Sequence, residues 1–417
     1  MKNLKVDIAV IGGGPAGLAA ALEAKKNGAE KVLILERDYE LGGILQQCIH
    51  DGFGLHRFQA RLSGNQYAQR FIDELPGSGI EVKLETIVLE LTDERVIYAC
   101  NPTDGLMKIE CGAVILAMGC RERTASQVFI YGSRPSGIMT AGQAQRYINM
   151  EGYLPGKTAV ILGSGDIGLI MARRMTLEGI QVKGVYEVMA TPGGLTRNVV
   201  QCLDDYGILL HLSTTVVDVR GKQRVEGVTV AKVDEKRQPI PGTAEEIDCD
   251  LLVLAVGLIP ENELSNQAGL ELDPKTKAPV VDNYFMTSIP GIFAAGNVSV
   301  VFDLVDYVSQ SGEIAARGAV RYLNGQLPKN PTYRSVEMGE NINFVVPQRL
   351  CNEDCEGPVT FFMRVKEPKK KVELQCHAEC KLVKKERHPF VAPPEMLACT
   401  LELPAGSTPK FSIAEVR

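Results

Sequence analysis

Short apolar runs, separated by glycine-rich turns and helix-forming segments, dominate the first 300 residues of the chain. Residues 6–11 form an apolar run that predicts a buried strand, and the Ala- and Leu-rich residues 18–27 predict a helix. A second strand, residues 31–35, follows and leads into Glu36. Buried strands that alternate with helices predict an α/β fold with parallel sheets.

The same succession returns in the middle of the chain. It consists of a strand, a helix and a strand that leads into an acidic residue: 158–162, 169–177, 182–186 and Glu187. Each half also has a later apolar strand that stops at a glycine: 113–118 before Gly119, and 251–256 before Gly257. Open parallel sheets bind ligands at the carboxyl ends of their strands, so these small residues leave room for a ligand.

A turn of the pattern G-x-G-x-x-G joins the first strand to the helix in each half. The two turns are Gly12-Gly13-Gly14-Pro15-Ala16-Gly17 and Gly163-Ser164-Gly165-Asp166-Ile167-Gly168. In this pattern the first glycine permits a tight turn, the second lets a pyrophosphate approach the backbone, and the third lets helix and strand pack closely. Glu36 and Glu187 each follow the third glycine by 19 residues, where an acid accepts hydrogen bonds from a ribose. The sequence therefore predicts two dinucleotide-binding units.

The composition changes after Pro328, where short alternating runs replace the βαβ pattern. These runs predict a separate C-terminal β domain over residues 329–417. Two of them, residues 359–365 and 371–375, are predicted to pair as a hairpin. We interpret the lysine-rich segment 366–371 as the solvated turn of that hairpin.

Charge and hydropathy exclude two classes of protein. The formal net charge is −6, without a basic block that would suit a phosphate backbone, so nucleic acid is not an expected partner. The longest apolar run, residues 251–260, is too short for a membrane span. Strand-like sequence begins directly after the N-terminal lysines and leaves no room for a signal peptide, so we expect a cytoplasmic protein. Most of the 11 cysteines are scattered, as is typical of reduced thiols.

These motifs resemble the two-dinucleotide flavoproteins of the pyridine nucleotide-disulfide oxidoreductase superfamily. The resemblance covers about residues 5–326 and rests on both glycine turns, their glutamates, and three further phrases: Leu41-Gly42-Gly43, Ala117-Met118-Gly119 and residues 291–297. It implies Rossmann-like folds of the three-layer ββα type, with an NAD(H) domain inserted in an FAD domain. The implied division is 1–120 and 259–328 for FAD, 121–155 as a linker, and 156–258 for NAD(H).

The resemblance also assigns residues to each cofactor. FAD would be bound by Gly12, Gly13, Gly14, Pro15, Ala16, Gly17, Glu36, Arg37, Gly43, Val88, Ala117, Gly119, Gly296, Asn297, Leu304 and Val305. NAD(H) would be bound by Gly163, Gly165, Asp166, Ile167, Gly168, Glu187 and Gly257. A 2′-phosphate would meet Glu187 as a like charge, so we expect NADH rather than NADPH.

A closer resemblance is to the flavoprotein subunits of hydrogen cyanide synthase and opine dehydrogenase, and to the NADH oxidase-like subunit that accompanies some glycerol-3-phosphate dehydrogenases. It rests on residues 42–50, 119–124, 140–146 and 163–168. It implies an FAD-dependent NADH:acceptor oxidoreductase, one subunit of a dehydrogenase complex, that passes electrons between NAD(H) and a partner dehydrogenase or electron-carrier subunit. Two other hypotheses stay open: a stand-alone NADH oxidase or peroxidase, and a flavin-containing structural or redox-sensing subunit.

Two positions depart from the superfamily pattern. Disulfide reductases carry two closely spaced cysteines after the Gly-Gly pair, whereas Leu45 stands at the first place here and only Cys48 is nearby. Dithiol chemistry is therefore not expected, and Cys48 is either a single catalytic thiol or a buried packing residue. The usual aspartate after the last glycine is Asn297, which can still accept a hydrogen bond from a ribityl hydroxyl.

Four cysteines near the C-terminus stand in two C-x3-C pairs, Cys351 with Cys355 and Cys376 with Cys380. Extending the predicted hairpin puts Cys376 opposite Thr360 and brings both pairs to one open end. Four thiolates there could hold zinc or an iron–sulfur cluster. The alternative is four free thiols or two disulfides.

Overall fold

The computed structural model describes residues 1–353, 357–379, 381–404 and 406–416. The chain forms two compact units, the larger made of residues 1–120 with 260–417 and the smaller made of residues 121–259. Both contain parallel strands and helices, which confirms the predicted α/β fold class.

The bounds of the elements are as follows. The first segment contains β1 (Lys2–Ile11), α1 (Pro15–Lys26), β2 (Val32–Leu35), β3 (Asp51–Phe53), β4 (Leu62–Ser63), α2 (Gly64–Ile72), β5 (Glu81–Lys83), β6 (Ile87–Leu91), β7 (Val96–Asn101), β8 (Gly105–Leu116) and β9 (Cys120–Glu122). The middle contains β10 (Ile138–Thr140), α3 (Ala141–Asn149), β11 (Thr158–Leu162), α4 (Asp166–Leu177), β12 (Gln181–Tyr186), α5 (Thr196–Cys202), β13 (Leu210–His211), β14 (Thr214–Arg220), β15 (Gly227–Lys232), β16 (Glu245–Asp248), β17 (Leu251–Leu254) and β18 (Leu258–Pro260).

The last segment contains two helices and the remaining strands. They are α6 (Glu263–Gln267), β19 (Ile292–Ala294), α7 (Val305–Leu323), β20 (Tyr333–Ser335), β21 (Glu337–Met338), β22 (Ile342–Val346), β23 (Arg349–Cys351), β24 (Val359–Val365), β25 (Lys369–Ala378), β26 (Lys381–Val391), β27 (Leu397–Leu401) and β28 (Pro409–Glu415). No helix in the described ranges is long and apolar enough to cross a membrane.

The main sheet of the larger unit has the strand order β5-β2-β1-β8-β7-β6, and β19 pairs with β8. β1 is parallel to both β2 and β8, so the strand before the first glycine turn lies inside the sheet. Its residues Ile8 and Val10 are completely buried, which explains the apolar run over residues 8–11. α7 packs against α1 through Gly312, where a Cβ atom would lie 2.2 Å from the carbonyl oxygen of Ala16.

The smaller unit has a five-stranded parallel sheet and a separate antiparallel sheet. The parallel order is β10-β17-β11-β12-β13, and the antiparallel order is β14-β15-β16. β11, the strand before the second glycine turn, lies between β17 and β12, just as β1 lies between β8 and β2. Both glycine turns therefore leave an inner strand and pass the end of a neighbouring parallel strand.

Seven of the C-terminal strands form two sheets, β21-β28-β25-β26 and β22-β24-β27, around one apolar core, and β20 pairs separately with β23. The predicted hairpin is wrong, because β24 and β25 lie in different sheets. Thr360 pairs with Thr400, and Cys376 pairs with Lys384 and Phe411. The alternating apolar residues of both strands enter the shared core, so β24 and β25 face each other through side chains instead of sharing backbone hydrogen bonds.

The C-terminal strands also pack on the segment that leads into α7. The ring of Phe362 lies 5.0 Å from that of Phe302 and 5.4 Å from that of Tyr307, centroid to centroid. The backbone N–H of Met396 donates to Asp303 Oδ2 at 2.7 Å. The C-terminal β domain therefore packs against the start of α7, the helix whose N-terminus would contact FAD according to the family resemblance.

Candidate dinucleotide-binding sites

The first glycine turn joins β1 to α1 and is tight for steric reasons. Gly12 has a φ of +107°, and its N–H donates to the carbonyl oxygen of Leu35 at 2.8 Å. A Cβ atom on Gly12 would lie 2.4 Å from the carbonyl oxygen of Ala117, and one on Gly17 would lie 1.9 Å from that of Gly12. A larger residue at either position would open the turn or push α1 away from the sheet.

Gly14 differs from Gly12 and Gly17 because the space around it is open. It is the N-cap of α1 with a φ of −77°, a conformation open to every residue. The nearest atom to a Cβ built on Gly14 is the Cα of Gly43, at 4.0 Å. Neither the backbone nor packing among the described residues requires glycine here, so this position leaves room for a group that approaches the backbone closely. A dinucleotide pyrophosphate at the helix N-terminus fits this space.

Glu36 is buried and contacts the same turn. Its Oε2 accepts a hydrogen bond from the N–H of Gly13 at 2.6 Å, and its Oε1 accepts one from the N–H of Asp38 at 2.8 Å. A carboxylate offers about four acceptor positions, so Glu36 retains acceptors for ribose hydroxyls.

The structure brings most of the predicted FAD residues to this turn: Gly12, Gly13, Gly14, Pro15, Ala16, Gly17, Glu36, Gly43, Ala117 and Gly296. For example, a Cβ atom on Gly296 would lie 2.7 Å from the Cβ of Ala16. Gly119 follows β8 with a φ of +75° and open surroundings. Arg37 lies exposed beside Glu36, and Val88 lies in β6, which β7 and β8 separate from β1 in the sheet.

Asn297 and the start of α7 form the second group of predicted FAD residues. The Oδ1 of Asn297 accepts a hydrogen bond from the N–H of Phe302 at 3.1 Å, and its Nδ2 donates to Cys120 Sγ at 3.4 Å. One acceptor position on Oδ1 remains for a ribityl hydroxyl. Leu304 is the N-cap of α7 and Val305 its first residue, so the N–H groups without helical partners begin there.

Cys48, the residue predicted as a catalytic thiol, is buried. Its Sγ donates to the carbonyl oxygen of Ile44 at 3.3 Å, and a Cβ atom on Gly64 would lie 2.5 Å from its own Cβ. Burial raises the pKa of the Cys48 thiol to about 12. Because the thiolate is the reactive form, these contacts favour the packing role.

We therefore expect a Cys48→Ala variant to keep NADH-dependent flavin reduction within about twofold of the wild-type rate, since a thiol with so high a pKa supplies almost no thiolate at neutral pH. Stopped-flow measurement of flavin absorbance checks this. Cys100→Ala, at an exposed position, is the matched control. A loss of tenfold or more with FAD still bound would instead establish Cys48 as a redox thiol.

The second glycine turn repeats the geometry of the first. Gly163 has a φ of +99°, and a Cβ atom on it would lie 2.2 Å from the carbonyl oxygen of Ala255. A Cβ atom on Gly168 would lie 2.6 Å from the carbonyl oxygen of Gly163. Gly165 is the N-cap of α4 with a φ of −63°, and the nearest atom to its Cβ would be 3.8 Å away. Gly165 therefore matches Gly14 in leaving room for a ligand.

Glu187 contacts this turn as Glu36 contacts the first, with one addition. Its Oε2 accepts hydrogen bonds from both the N–H and the hydroxyl of Ser164, at 2.9 and 2.7 Å, and its Oε1 accepts one from the N–H of Met189 at 2.9 Å. Sequence reasoning did not single out Ser164. Its place in the turn was visible, but its bond to Glu187 depends on the fold.

The other predicted NAD(H) residues are placed as follows. Asp166 Oδ1 accepts hydrogen bonds from the N–H of Leu195 at 2.8 Å and from Asn198 Nδ2 at 2.6 Å, so it holds a protein segment. Ile167 packs against the core of the smaller unit. Gly257 lies beyond β17 with a φ of +106°, and its carbonyl oxygen accepts from the N–H of Arg123 at 3.0 Å.

The four-cysteine site falls partly outside the described residues, because Cys355 and Cys380 belong to the gaps. Cys351 donates to Glu353 Oε2 at 3.3 Å, and Cys376 is buried in the C-terminal core. The described residues contain no group of three or more His, Cys, Asp or Glu side chains that could hold a metal. Since the hairpin that was to bring the pairs together is wrong, the zinc or iron–sulfur site stays a prediction.

Two glycine turns, each with a bonded glutamate and a glycine that leaves ligand space, define a protein that binds two dinucleotides. Residues 6–314, more than half of the chain, match the family described as pyridine nucleotide-disulphide oxidoreductase, and the chain belongs to this family. Members are FAD-dependent enzymes that use NAD(P). The predicted superfamily, and with it the prediction of an oxidoreductase, is confirmed.

Individual relatives agree with this assignment. Hydrogen cyanide synthase subunit HcnB of Pseudomonas protegens is 28% identical over 285 residues, 63% of this chain and 58% of that protein. The opine oxidase subunit of Agrobacterium tumefaciens is 25% identical over 332 residues, 75% of this chain and 65% of that protein. The chain thus spans less than two thirds of the length of these relatives. The crystal structure of T. acidophilum thioredoxin reductase supports the fold, with a TM-score of 0.62 and 22% identity over 78% of this chain and 99% of that one.

Proposed function

We propose that the chain is an FAD-dependent NADH:acceptor oxidoreductase and the electron-transfer subunit of a dehydrogenase complex. The observation that carries the proposal is the pair of matching turns, in which Gly14 and Gly165 leave ligand space beside a bonded glutamate. Bound FAD would supply two-electron exchange with a nicotinamide and return of the electrons to an acceptor. A partner dehydrogenase or carrier is proposed because the hydrogen cyanide synthase and opine oxidase relatives are named as subunits.

The chain contributes binding and orientation to this chemistry. The N-terminus of α1 would hold the FAD pyrophosphate and Glu36 its ribose, while Asn297 and the first turn of α7 would hold the rest of the cofactor. In the smaller unit, Gly165 and Glu187 would hold the corresponding parts of NAD(H). The proposed reaction needs no general acid or base from the protein, since hydride transfer depends on the alignment of the nicotinamide ring with the flavin ring.

Anaerobic addition of NADH to the purified yellow protein tests the proposal, followed by exposure to air. Rapid bleaching with slow return of colour in air supports an electron-transfer role that needs a separate acceptor. Rapid turnover with oxygen would favour the stand-alone oxidase or peroxidase. The raised pKa of the Cys48 thiol argues against that alternative, because a peroxidase thiol must ionise. Failure to bleach would leave the structural or redox-sensing role. The cytoplasmic location stays a prediction.

We expect NADH to be preferred to NADPH by at least about tenfold in kcat/KM, equivalent to about 1.4 kcal/mol. Glu187 is buried, and a 2′-phosphate beside it would be repelled as a like charge in a poorly solvated site. Steady-state rates with both coenzymes check the preference. Glu187→Gln keeps the shape of the side chain without the charge and should narrow the difference. Equal efficiency of the wild-type protein with both coenzymes would refute the expectation.

A further inference from the structure

We infer that Gly193 contacts the pyrophosphate of the dinucleotide bound by residues 121–259, and that Ser164 and Asp166 hold its loop in position. The inference rests on the proposed function, because it requires NAD(H) to bind at the second glycine turn. It adds a second protein segment to that site, which the G-x-G-x-x-G pattern does not include.

Neither backbone conformation nor packing within the protein accounts for the glycine at residue 193. Glycine is required where φ lies in the left-handed region or where a Cβ atom would collide with the protein. Gly142 inside α3 aside, three glycines in the described ranges have neither a left-handed φ nor a Cβ contact closer than 3.4 Å: Gly14, Gly165 and Gly193. Gly184 is tighter, since a Cβ atom there would lie 3.2 Å from the side chain of His211. A Cβ atom on Gly193 would lie 3.6 Å from its nearest neighbours, an ordinary contact distance. Gly14 and Gly165 are the glycines that would face the two pyrophosphates. Gly193 shares their open surroundings and likewise has no left-handed φ, so we assign it a position facing a pyrophosphate as well.

The similarity between the two units extends beyond the glycine turns to a pair of adjacent glycines later in each unit. Gly42 and Gly43 follow Glu36 by six and seven residues, and Gly193 and Gly194 follow Glu187 by the same intervals. Each pair returns to its own turn, although the φ angles of Gly42 and Gly43 are left-handed and those of Gly193 and Gly194 are not. The N–H of Gly42 donates to the carbonyl oxygen of Gly13 at 2.8 Å, and the N–H of Gly193 donates to Ser164 Oγ at 2.8 Å.

In the second unit the nearest atoms to a Cβ on Gly193 include the backbone nitrogen of Gly165. The loop and the turn therefore adjoin at the glycine where the helix N-terminus would receive phosphate. Packing within the protein accounts for the glycine at residue 194, since a Cβ atom there would lie 2.8 Å from both Asp166 Oδ1 and Leu169 Cδ1. Gly193 faces the ligand space, and Gly194 lets the loop come close.

Side chains fix this loop in the second unit. Ser164 is completely buried and uses its hydroxyl twice, donating to Glu187 and accepting from Gly193. Asp166 accepts from the N–H of Leu195 two residues further along the loop. The first unit has Gly13 and Pro15 at the positions of Ser164 and Asp166, so it lacks both tethers. The tethers hold the ribose-facing glutamate, the turn and the loop in one geometry before ligand binds, which reduces the ordering cost of binding.

Calorimetric titration of NAD⁺ into the FAD-loaded chain tests the inference without flavin reduction. Gly193→Val should raise the Kd for NAD⁺ by at least about tenfold, because its methyl groups enter the space assigned to pyrophosphate. Ala190→Val adds two methyl groups at an exposed position of the same loop and should leave the Kd unchanged. Both variants should keep their FAD content and their Tm.

Ser164→Ala provides the second variant, since it removes the tether without adding bulk. It should raise the Kd for NAD⁺ about three- to tenfold through the loss of one or two hydrogen bonds, and flavin reduction by dithionite should be unaffected. Wild-type affinity in both Gly193→Val and Ser164→Ala would overturn the inference while leaving the proposed function intact. If the wild-type chain binds no NAD⁺, the proposed function fails, and the inference fails with it.

Discussion

A Gly14→Val variant is expected to purify as a folded but colourless protein. The φ of −77° at this position suits valine, and a Cβ atom meets nothing closer than 4.0 Å, so the fold can accept the side chain. Replacing glycine at an N-cap costs only about 1 kcal/mol. The added methyl groups would fill the space beside the N-terminus of α1, and a pyrophosphate could no longer reach the backbone N–H groups. We expect FAD affinity to fall by at least about 100-fold, or about 2.7 kcal/mol.

Flavin absorbance per chain, measured after purification and again after incubation with excess FAD, checks this result. The Tm of the variant should match that of wild-type protein stripped of FAD. Gly165→Val makes the same change at the N-cap of α4 and should remain yellow. A Gly14→Val protein with full FAD content would show that the first turn does not hold the pyrophosphate.

The two dinucleotide folds could be predicted from the sequence because their requirements are local. A tight turn at Gly12 and close packing at Gly17 exclude every other residue at those positions, so the glycine pattern records the geometry directly. The buried inner strands are likewise recorded as apolar runs, as in β17.

The pairing of the C-terminal strands could not be predicted in this way. Alternation in β24 and β25 shows which face of each strand is buried, but two strands that share a core can lie side by side or face each other. The chain order suggested a hairpin, whereas β24 pairs with β22 and β27 and β25 pairs with β26 and β28. β25 and β26 are consecutive strands, whereas the other pairings join strands that are not consecutive and depend on contacts between residues farther apart in the sequence.

The loop that we propose as part of the NAD(H) site could be predicted from the sequence only in part. The equal spacing of Gly42-Gly43 and Gly193-Gly194 from the two glutamates was present in the sequence. Its meaning depends on Ser164, whose hydroxyl joins Glu187 to Gly193, and no spacing rule specifies that bond. Asp166 was expected to contact the dinucleotide, which stays a prediction, and its Oδ1 accepts hydrogen bonds from Leu195 and Asn198 that no spacing rule specified either.

Gly165→Val is expected to separate the two cofactor sites functionally. The φ of −63° accepts valine, and a Cβ atom would meet its nearest neighbour, the carbonyl oxygen of Ala255, at 3.8 Å. The fold should therefore survive, while the methyl groups enter the space assigned to the NAD(H) pyrophosphate. Residues 1–120 and 260–417, which contain the predicted FAD residues, are untouched, so FAD should remain bound at full stoichiometry.

The expected result is a yellow protein that dithionite bleaches but NADH does not. The rate of NADH-dependent bleaching at subsaturating NADH should fall by at least about 100-fold, about 2.7 kcal/mol of lost binding. Stopped-flow absorbance with each reductant measures both responses, and Gly14→Val provides the reciprocal control because it should lose FAD instead. NADH bleaching at the wild-type rate would show that the second turn does not hold the nucleotide, since a side chain at the N-cap of α4 cannot share that space with a pyrophosphate.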